Sequence, residues 1–168
     1  MLPLLHQTPE VTAFPLAFLS QMMQISSRFS VAVHALSLLA LPEQDGVLLT
    51  SERMAGSVNT NPVVIRRILG QLKKAGLVEV RPASGGTFLT RRPAAITLLQ
   101  VYRAVEVVEE GQLFSVHDKP NPACLVGRHI QSALDDTLQR AQLALEQVLA
   151  HTTLQQVTTD IAAKALIS

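Results

Sequence analysis

The chain has 168 residues, the length of one domain or of one domain with an appended oligomerisation element. Hydrophobic residues make up 48% and charged residues 16%, which excludes global disorder and supplies a core without disulfide or metal staples. The formal net charge of +1 is unevenly spread. From Arg53 to Arg92 eight basic residues face one acid, Glu79, a net +7; from Ala104 onward four basic residues face eight acidic ones, a net −4.

A strongly basic third joined to an acidic half is the pattern of a polyanion-binding module attached to a part that avoids the polyanion. An unevenly charged but ordinary solvated surface is the plain alternative. The chain has no Trp, one Tyr and five Phe, too few for an aromatic stacking surface that grips single strands. A single cysteine excludes an internal disulfide, a Cys-rich zinc site and an all-Cys iron–sulfur cluster within one chain. No apolar run reaches the ~18–20 residues that span a bilayer, and the start of the chain lacks the basic residues of a secretory signal. The expectation is a soluble protein of the reducing cytoplasm without membrane contact.

Residues 1–22 show no clear periodicity and are interrupted by Pro3, Pro9 and Pro15, so they are expected to form a loosely ordered extension. From Ile25 to Leu41 the apolar residues Phe29, Ala32, Val33, Leu36, Leu39 and Ala40 make the stripe of an amphipathic helix, ended by Pro42 and Gly46. Thr50 is a good N-cap for a short helix over Ser51–Ser57, with Glu52 in its first turn and Met54 and Ala55 turned inward. After a tight turn at Val58–Thr60, Asn61 caps the best-signalled helix, Pro62–Ala75. Pro62 stands where its missing N–H costs nothing. Ile65, Ile68, Leu69 and Leu72 make the buried stripe, Lys73 and Lys74 suit the C-terminal end of the dipole, and Gly76 stops the helix.

The period then changes. Leu77–Arg81 and Thr87–Thr90 are short β-like runs around a turn-rich tip, Pro82–Gly86, which reads as a two-stranded hairpin. Another helical stretch follows Pro93 and Thr97, carrying Ile96, Leu99, Val101, Tyr102 and Val105, and Val107–Ala123 reads as a long loop. A long helix is expected over Gly127–Ala150. Its apolar residues Ile130, Leu134, Leu138, Ala141, Leu145 and Val148 recur about every 3.5 residues, the seam spacing of helices packed along their length. Thr153 caps a last short helix, Leu154–Ile161.

Three short helices followed by a basic hairpin is the order of a winged helix-turn-helix. Burying the Ile65–Leu72 stripe turns Val63, Arg66, Arg67 and Gly70 outward, and a helix is the width that a major groove admits. The candidate DNA contacts divide by chemistry. Asn59, Thr60, Asn61 and Val63 would lie nearest base edges. Arg66, Arg67, Lys73, Lys74 and Arg91 would neutralise phosphates, and Arg81 with Ser84, Gly85 and Gly86 would form the wing contact. Taken singly, each has an ordinary reading as a solvated helix face, a dipole cap or a turn; their order within about 40 residues is what carries the DNA reading.

The stretch Gln24–Ala40 and then LTSERMAGSVNTNPVVIRRILGQLKKAGLVEVRPASGGTFLTRRPAAITLLQVYRAVE closely resembles the Rrf2 family of bacterial transcription regulators, which includes the IscR, NsrR and CymR types. The likeness covers about Met23–Ala150. It is sharpest at Leu72 with Ala75–Val78, at Arg81 with Gly85, Gly86 and Leu89, and at Ile96–Leu98 with Val105 and Glu106. It implies a homodimer joined by the long helix, with two winged heads on a roughly palindromic operator. Cluster-binding members carry three cysteines in the loop before the long helix, where this chain has only Cys124, so no iron–sulfur cofactor is expected. Pro82 and Thr87 stand where a glycine and an aromatic are usual in the wing.

Cys124 is a candidate regulatory thiol, since a helix N-terminus and Arg128 one turn on both favour thiolate; a small inert hydrophobe at a helix start is the alternative. His117 and Asp118 do not converge with it by any regular geometry, and His34, His129 and His151 read as surface or interface residues. No enzymatic role is expected. The fold class read here is mainly α with a small β-hairpin. The divisions are an extension over 1–22, a winged helix-turn-helix domain over 23–106, a regulatory-type loop over 107–126, and a dimerisation helix with a short terminal helix over 127–168. The function read is a homodimeric, DNA-binding regulator, a repressor, with unknown effector. A winged-helix module that binds a partner protein and has no specific DNA site is the competing class.

Overall fold

The computed structural model describes residues 27–41, 48–81, 86–105 and 120–167. Within them the chain runs through α1 (Ser27–Ala40), α2 (Ser51–Val58), α3 (Pro62–Lys74), β1 (Val78–Arg81), β2 (Gly86–Leu89), α4 (Leu98–Val105), α5 (Leu125–His151) and α6 (Leu154–Ala165), with a 3₁₀ turn at Pro93–Ala95 before α4. The expected architecture, mainly helical with one hairpin and a long helix near the C-terminus, is the architecture found. The expected extension over 1–22, the wing tip with Ser84 and Gly85, and most of the 107–123 loop lie outside the described residues.

Local signals place most element ends. Thr50 accepts a hydrogen bond from the Arg53 N–H and opens α2. Thr153 and Gln156 form a reciprocal capping box that opens α6. Gly76, at φ +69°, takes the left-handed conformation that lets α3 turn into β1. The Leu77 N–H then reaches back to the Leu72 carbonyl at 3.0 Å, and the Thr90 hydroxyl donates to the Gly76 carbonyl at 2.6 Å, tying the hairpin base to the end of α3. The strands pair antiparallel, with Val78 opposite Leu89 and Arg81 opposite Gly86.

The core is one cluster. Leu36 of α1, Met54 of α2, Ile65, Ile68 and Leu72 of α3, Leu77, Val78, Ile96, Val101 and Val105 are all essentially buried. Each such side chain contributes about 1.5–3 kcal/mol by leaving water. Phe29 and Tyr102 meet edge to face, ring centroids 5.9 Å apart, across α1 and α4. The inward face of α1 is wider than its apolar stripe. Ala35 and Ser37 are buried beside Ala32 and Leu36, because α3, α4 and α6 all pack on this helix.

The C-terminal segment holds the largest difference from the sequence reading. α6 runs four residues past Ile161, to Ala165, and belongs to the head. Leu154 is fully buried in the same core as Leu36 and Ile96. The Leu98 N–H donates to the Thr152 carbonyl at 2.8 Å and the Leu154 N–H to the Ile96 carbonyl at 2.9 Å, a small β-bridge that staples the start of α6 beside the start of α4. Between these anchors α5 spans 27 residues, about 40 Å. It contains no buried residue. Its C-terminal half lies along α4, where the Arg103 guanidinium donates to Glu146 at 2.8 Å.

Candidate nucleic-acid interface

The turn between α2 and α3 sets the direction of α3. Asn59 adopts a left-handed conformation at φ 56°, which asparagine tolerates better than most side chains. The Thr60 N–H donates to the Ala55 carbonyl at 3.0 Å and closes α2. Asn61 then caps α3, its Oδ1 accepting the Val63 N–H at 2.8 Å, and Pro62 occupies the first helical position. These three residues form a short connection that holds α3 against α1 and α2 through Ile65, Ile68, Leu69 and Leu72, all buried as expected.

That anchoring turns a continuous face outward. Val63, Arg67, Gly70 and Lys74 lie opposite the buried stripe, with Val64, Arg66 and Lys73 on the flanks, all exposed. Val63 is 63% exposed at the N-terminal end, an apolar group offered to solvent on an otherwise cationic surface. Arg67, Lys73 and Lys74 form no ion pair among the described residues.

The other predicted contacts are more constrained. The Oδ1 of Asn61 is occupied by its capping bond, which leaves its amide NH₂ for outside partners. Arg81 on β1 donates through Nε to Glu79 at 2.7 Å and stacks its guanidinium 4.6 Å from the Phe88 ring centre. Arg91 donates to the Gly76 carbonyl at 3.3 Å, so one of its bonds braces the end of α3. Gly86 is buried in β2, where an added Cβ would stand 3.0 Å from the Phe88 ring and 3.1 Å from Leu48; its smallness serves packing inside the hairpin.

Sequence reasoning assigned Glu52 only to the start of its own helix. The structure gives it a second role. Arg66 donates from Nη2 to Glu52 Oε1 at 2.6 Å and from Nε to Ser51 Oγ at 3.3 Å. The guanidinium is the main reason that the Glu52 carboxyl is held down at about 2; backbone and Ser51 hydrogen bonds add to it. These groups line a cleft of about 400 Å³ between the start of α2, the flank of α3 and the hairpin, together with Gly70, Lys73 and Val80. The signal that would have found the pair is an acid in the first turn of α2, but nothing local links it to an arginine 14 residues later.

Cys124 is exposed at the N-cap of α5, at the end of that helix far from the head. Its thiol is pulled below the usual range by the backbone N–H groups of Gly127 and then Val126. The Arg128 Nε donates instead to the Pro122 carbonyl at 3.2 Å. On α5 the expected seam is divided: Ile130, Leu138 and Leu145 are half-buried, whereas Leu134, Ala141 and Val148 are exposed. His34 meets Ser57 Oγ at 3.1 Å and His151 meets the Gln147 carbonyl at 2.7 Å, both surface bonds.

A three-residue turn into an exposed cationic helix, backed by an antiparallel hairpin, defines a winged helix-turn-helix protein. The comparisons give its place within that class: the model of the Rrf2 family, iron-dependent transcriptional regulators, matches residues 25–160, and the chain belongs to this family of transcription regulators. It is 49% identical over 133 residues to YwnA of Bacillus subtilis, a provisionally named HTH-type transcriptional regulator, covering 79% of this chain and 96% of that one. A solved structure of a provisionally assigned DNA-binding protein is 42% identical, with a TM-score of 0.61 over 77% of this chain and 97% of its own. IscR of T. potens shares the fold alone, at 22% identity and a TM-score of 0.61, over 84% and 90% of the two chains.

The iron in the family description finds no ready set of ligands among the described residues. Iron–sulfur clusters are held mainly by several thiolates. The single Cys124 is one exposed group, and no cluster of three or more His, Cys, Asp or Glu able to hold a metal occurs among the described residues.

Proposed function

We propose that the protein is a sequence-specific regulator that binds duplex DNA as a homodimer on a roughly palindromic operator and represses transcription from it. The observation that carries this reading is the outward face of α3, where Val63, Arg67, Gly70 and Lys74 stand opposite the buried stripe and beside the hairpin. Val63 and the Asn59–Asn61 turn lie at the end nearest base edges. Arg67, Lys73, Lys74 and Arg91 neutralise phosphates, and Arg81 with Ser84–Gly86 follows the backbone alongside. Homodimerisation is supported by α5, a 27-residue helix with no buried residue and with Leu134, Leu143 and Val148 in solvent. An isolated amphipathic helix of this kind gains most of its stability from packing its apolar face.

Selection of bound sequences from random duplexes, followed by mobility shift, is the test. Recovery of an inverted repeat supports the reading. Failure to retain any duplex overturns it and favours the protein-interaction class. A reporter fused to the recovered site then separates repression from activation. Cys124 is proposed as a modulating thiol. Mild peroxide is expected to change operator affinity of the wild type and leave Cys124→Ser unchanged; equal affinity in all four cases removes the switch.

A further inference from the structure

Within the largely basic surface proposed to face DNA, an ionised carboxylate needs a reason, because it repels the phosphates that the surrounding basic side chains attract. Glu52 is such a group. It is 60% exposed, so its ion pair with Arg66 contributes little to folding. Burial is not the reason for its place, and α2 already has its cap in Thr50. What the carboxylate does is geometric. Glu52 Oε1 takes Nη2 of Arg66 and Ser51 Oγ takes Nε, so two of the three guanidinium nitrogens are held along the flank of α3. A long arginine that is free to swing finds phosphates in any sequence. One held in a fixed fork loses less freedom on docking and presents its remaining N–H groups in one direction.

We propose that Glu52, with Ser51, is a specificity-determining positioning residue: it holds Arg66 as a reader of base-edge acceptors, guanine above all, and keeps it from serving as a phosphate clamp. This rests on the DNA-binding reading above and revises the phosphate role given to Arg66 at the sequence level. The paired acceptors of guanine in the major groove fit a guanidinium presented in a fixed plane. The carboxylate also disfavours any register that brings a phosphate to that flank. It therefore lowers affinity for unrelated duplexes more than for the correct site.

The experiment compares wild type, Glu52→Gln, Arg66→Ala and the double variant on the selected operator and on a shuffled duplex, over a series of salt concentrations. Glu52→Gln is expected to bind the shuffled duplex more tightly. Its salt dependence should steepen by about one phosphate contact. Its preference for the operator should fall at least about fivefold. Random-duplex selection with Glu52→Gln and with Arg66→Ala should relax the same half-site position. In the Arg66→Ala background the Glu52 substitution should have a smaller effect, limited to relieved repulsion of phosphate, and should relax no half-site position further. Unchanged preference and salt slope in Glu52→Gln, or an equal effect with and without Arg66, overturns the positioning role while leaving DNA binding intact. A wild type that retains no duplex overturns the DNA reading and this inference with it.

Discussion

Gly70 stands in the middle of α3, where glycine costs about 0.5–1 kcal/mol relative to alanine. Nothing among the described residues asks for it: a Cβ added there meets no atom within 4 Å, and its backbone lies outside the left-handed region. Under the proposed reading, its smallness leaves room for a duplex to approach the outward face of the helix closely. Gly70→Ala is therefore expected to raise the melting temperature by about 2–4 °C and to weaken operator binding in the same preparation. A gain in stability with unchanged affinity would place the DNA away from this face. Arg67 is exposed and forms no ion pair among the described residues. Arg67→Ala should lose at least several-fold operator affinity when measured near ~150 mM salt, where non-specific binding no longer masks the loss.

At the scale of elements, the junctions between the head and the long helix decide how α5 is aimed. Arg103 of α4 and Gln142 of α5 both donate to Glu146, at 2.8 and 2.7 Å. The Gln142 bond first, and then Arg103, hold the Glu146 carboxyl below its usual range. A carboxyl depressed in the folded state stabilises the fold above its unfolded value near ~4.3, and that contribution is lost as pH falls through the lower folded value. Glu146 is 24% and Arg103 64% exposed, so solvent screening limits the pair to about 1 kcal/mol or less. The gap in melting temperature between wild type and Glu146→Gln should be present at neutral pH and close in acid; a gap that is constant with pH would mean that the ion pair does not set it. The second junction is apolar. Leu154 is fully buried, and Leu154→Ala should cost about 2–5 kcal/mol, read as a lower denaturant midpoint. A loss that small surface substitutions also produce would detach α6 from the head.

For the whole molecule, α5 carries the proposed contact between two copies of the chain. Its C-terminal half leans on α4, yet Leu134 and Val148 remain 40% and 64% exposed, with Ala141 between them. Replacing both Leu134 and Val148 with Asp should give a monomer by sedimentation. The melting of the head should be preserved, because neither side chain reaches the core cluster. Operator affinity should fall, because each head then holds only a half-site. A dimer that survives both charges would move the proposed contact elsewhere.

What could be read along the chain were the features whose physics is local. Asn61 and Pro62 announce α3, Gly76 ends it, Thr153 and Gln156 open α6, and the spacing of Ile65, Ile68, Leu69 and Leu72 gives the buried face, because capping and helical period act over a few residues. The family likeness was visible for the same reason, since its motifs lie in these helices and turns. Tertiary structure alone decided the pairings between distant residues. Glu52 holds Arg66 across 14 residues, Arg103 meets Glu146 across 43, and Leu154 returns from the far side of a long helix to complete the core under α1 and α4. No period or cap records such meetings: they arise only when separately stable helices bury their apolar faces together and bring the polar groups at the edges within reach.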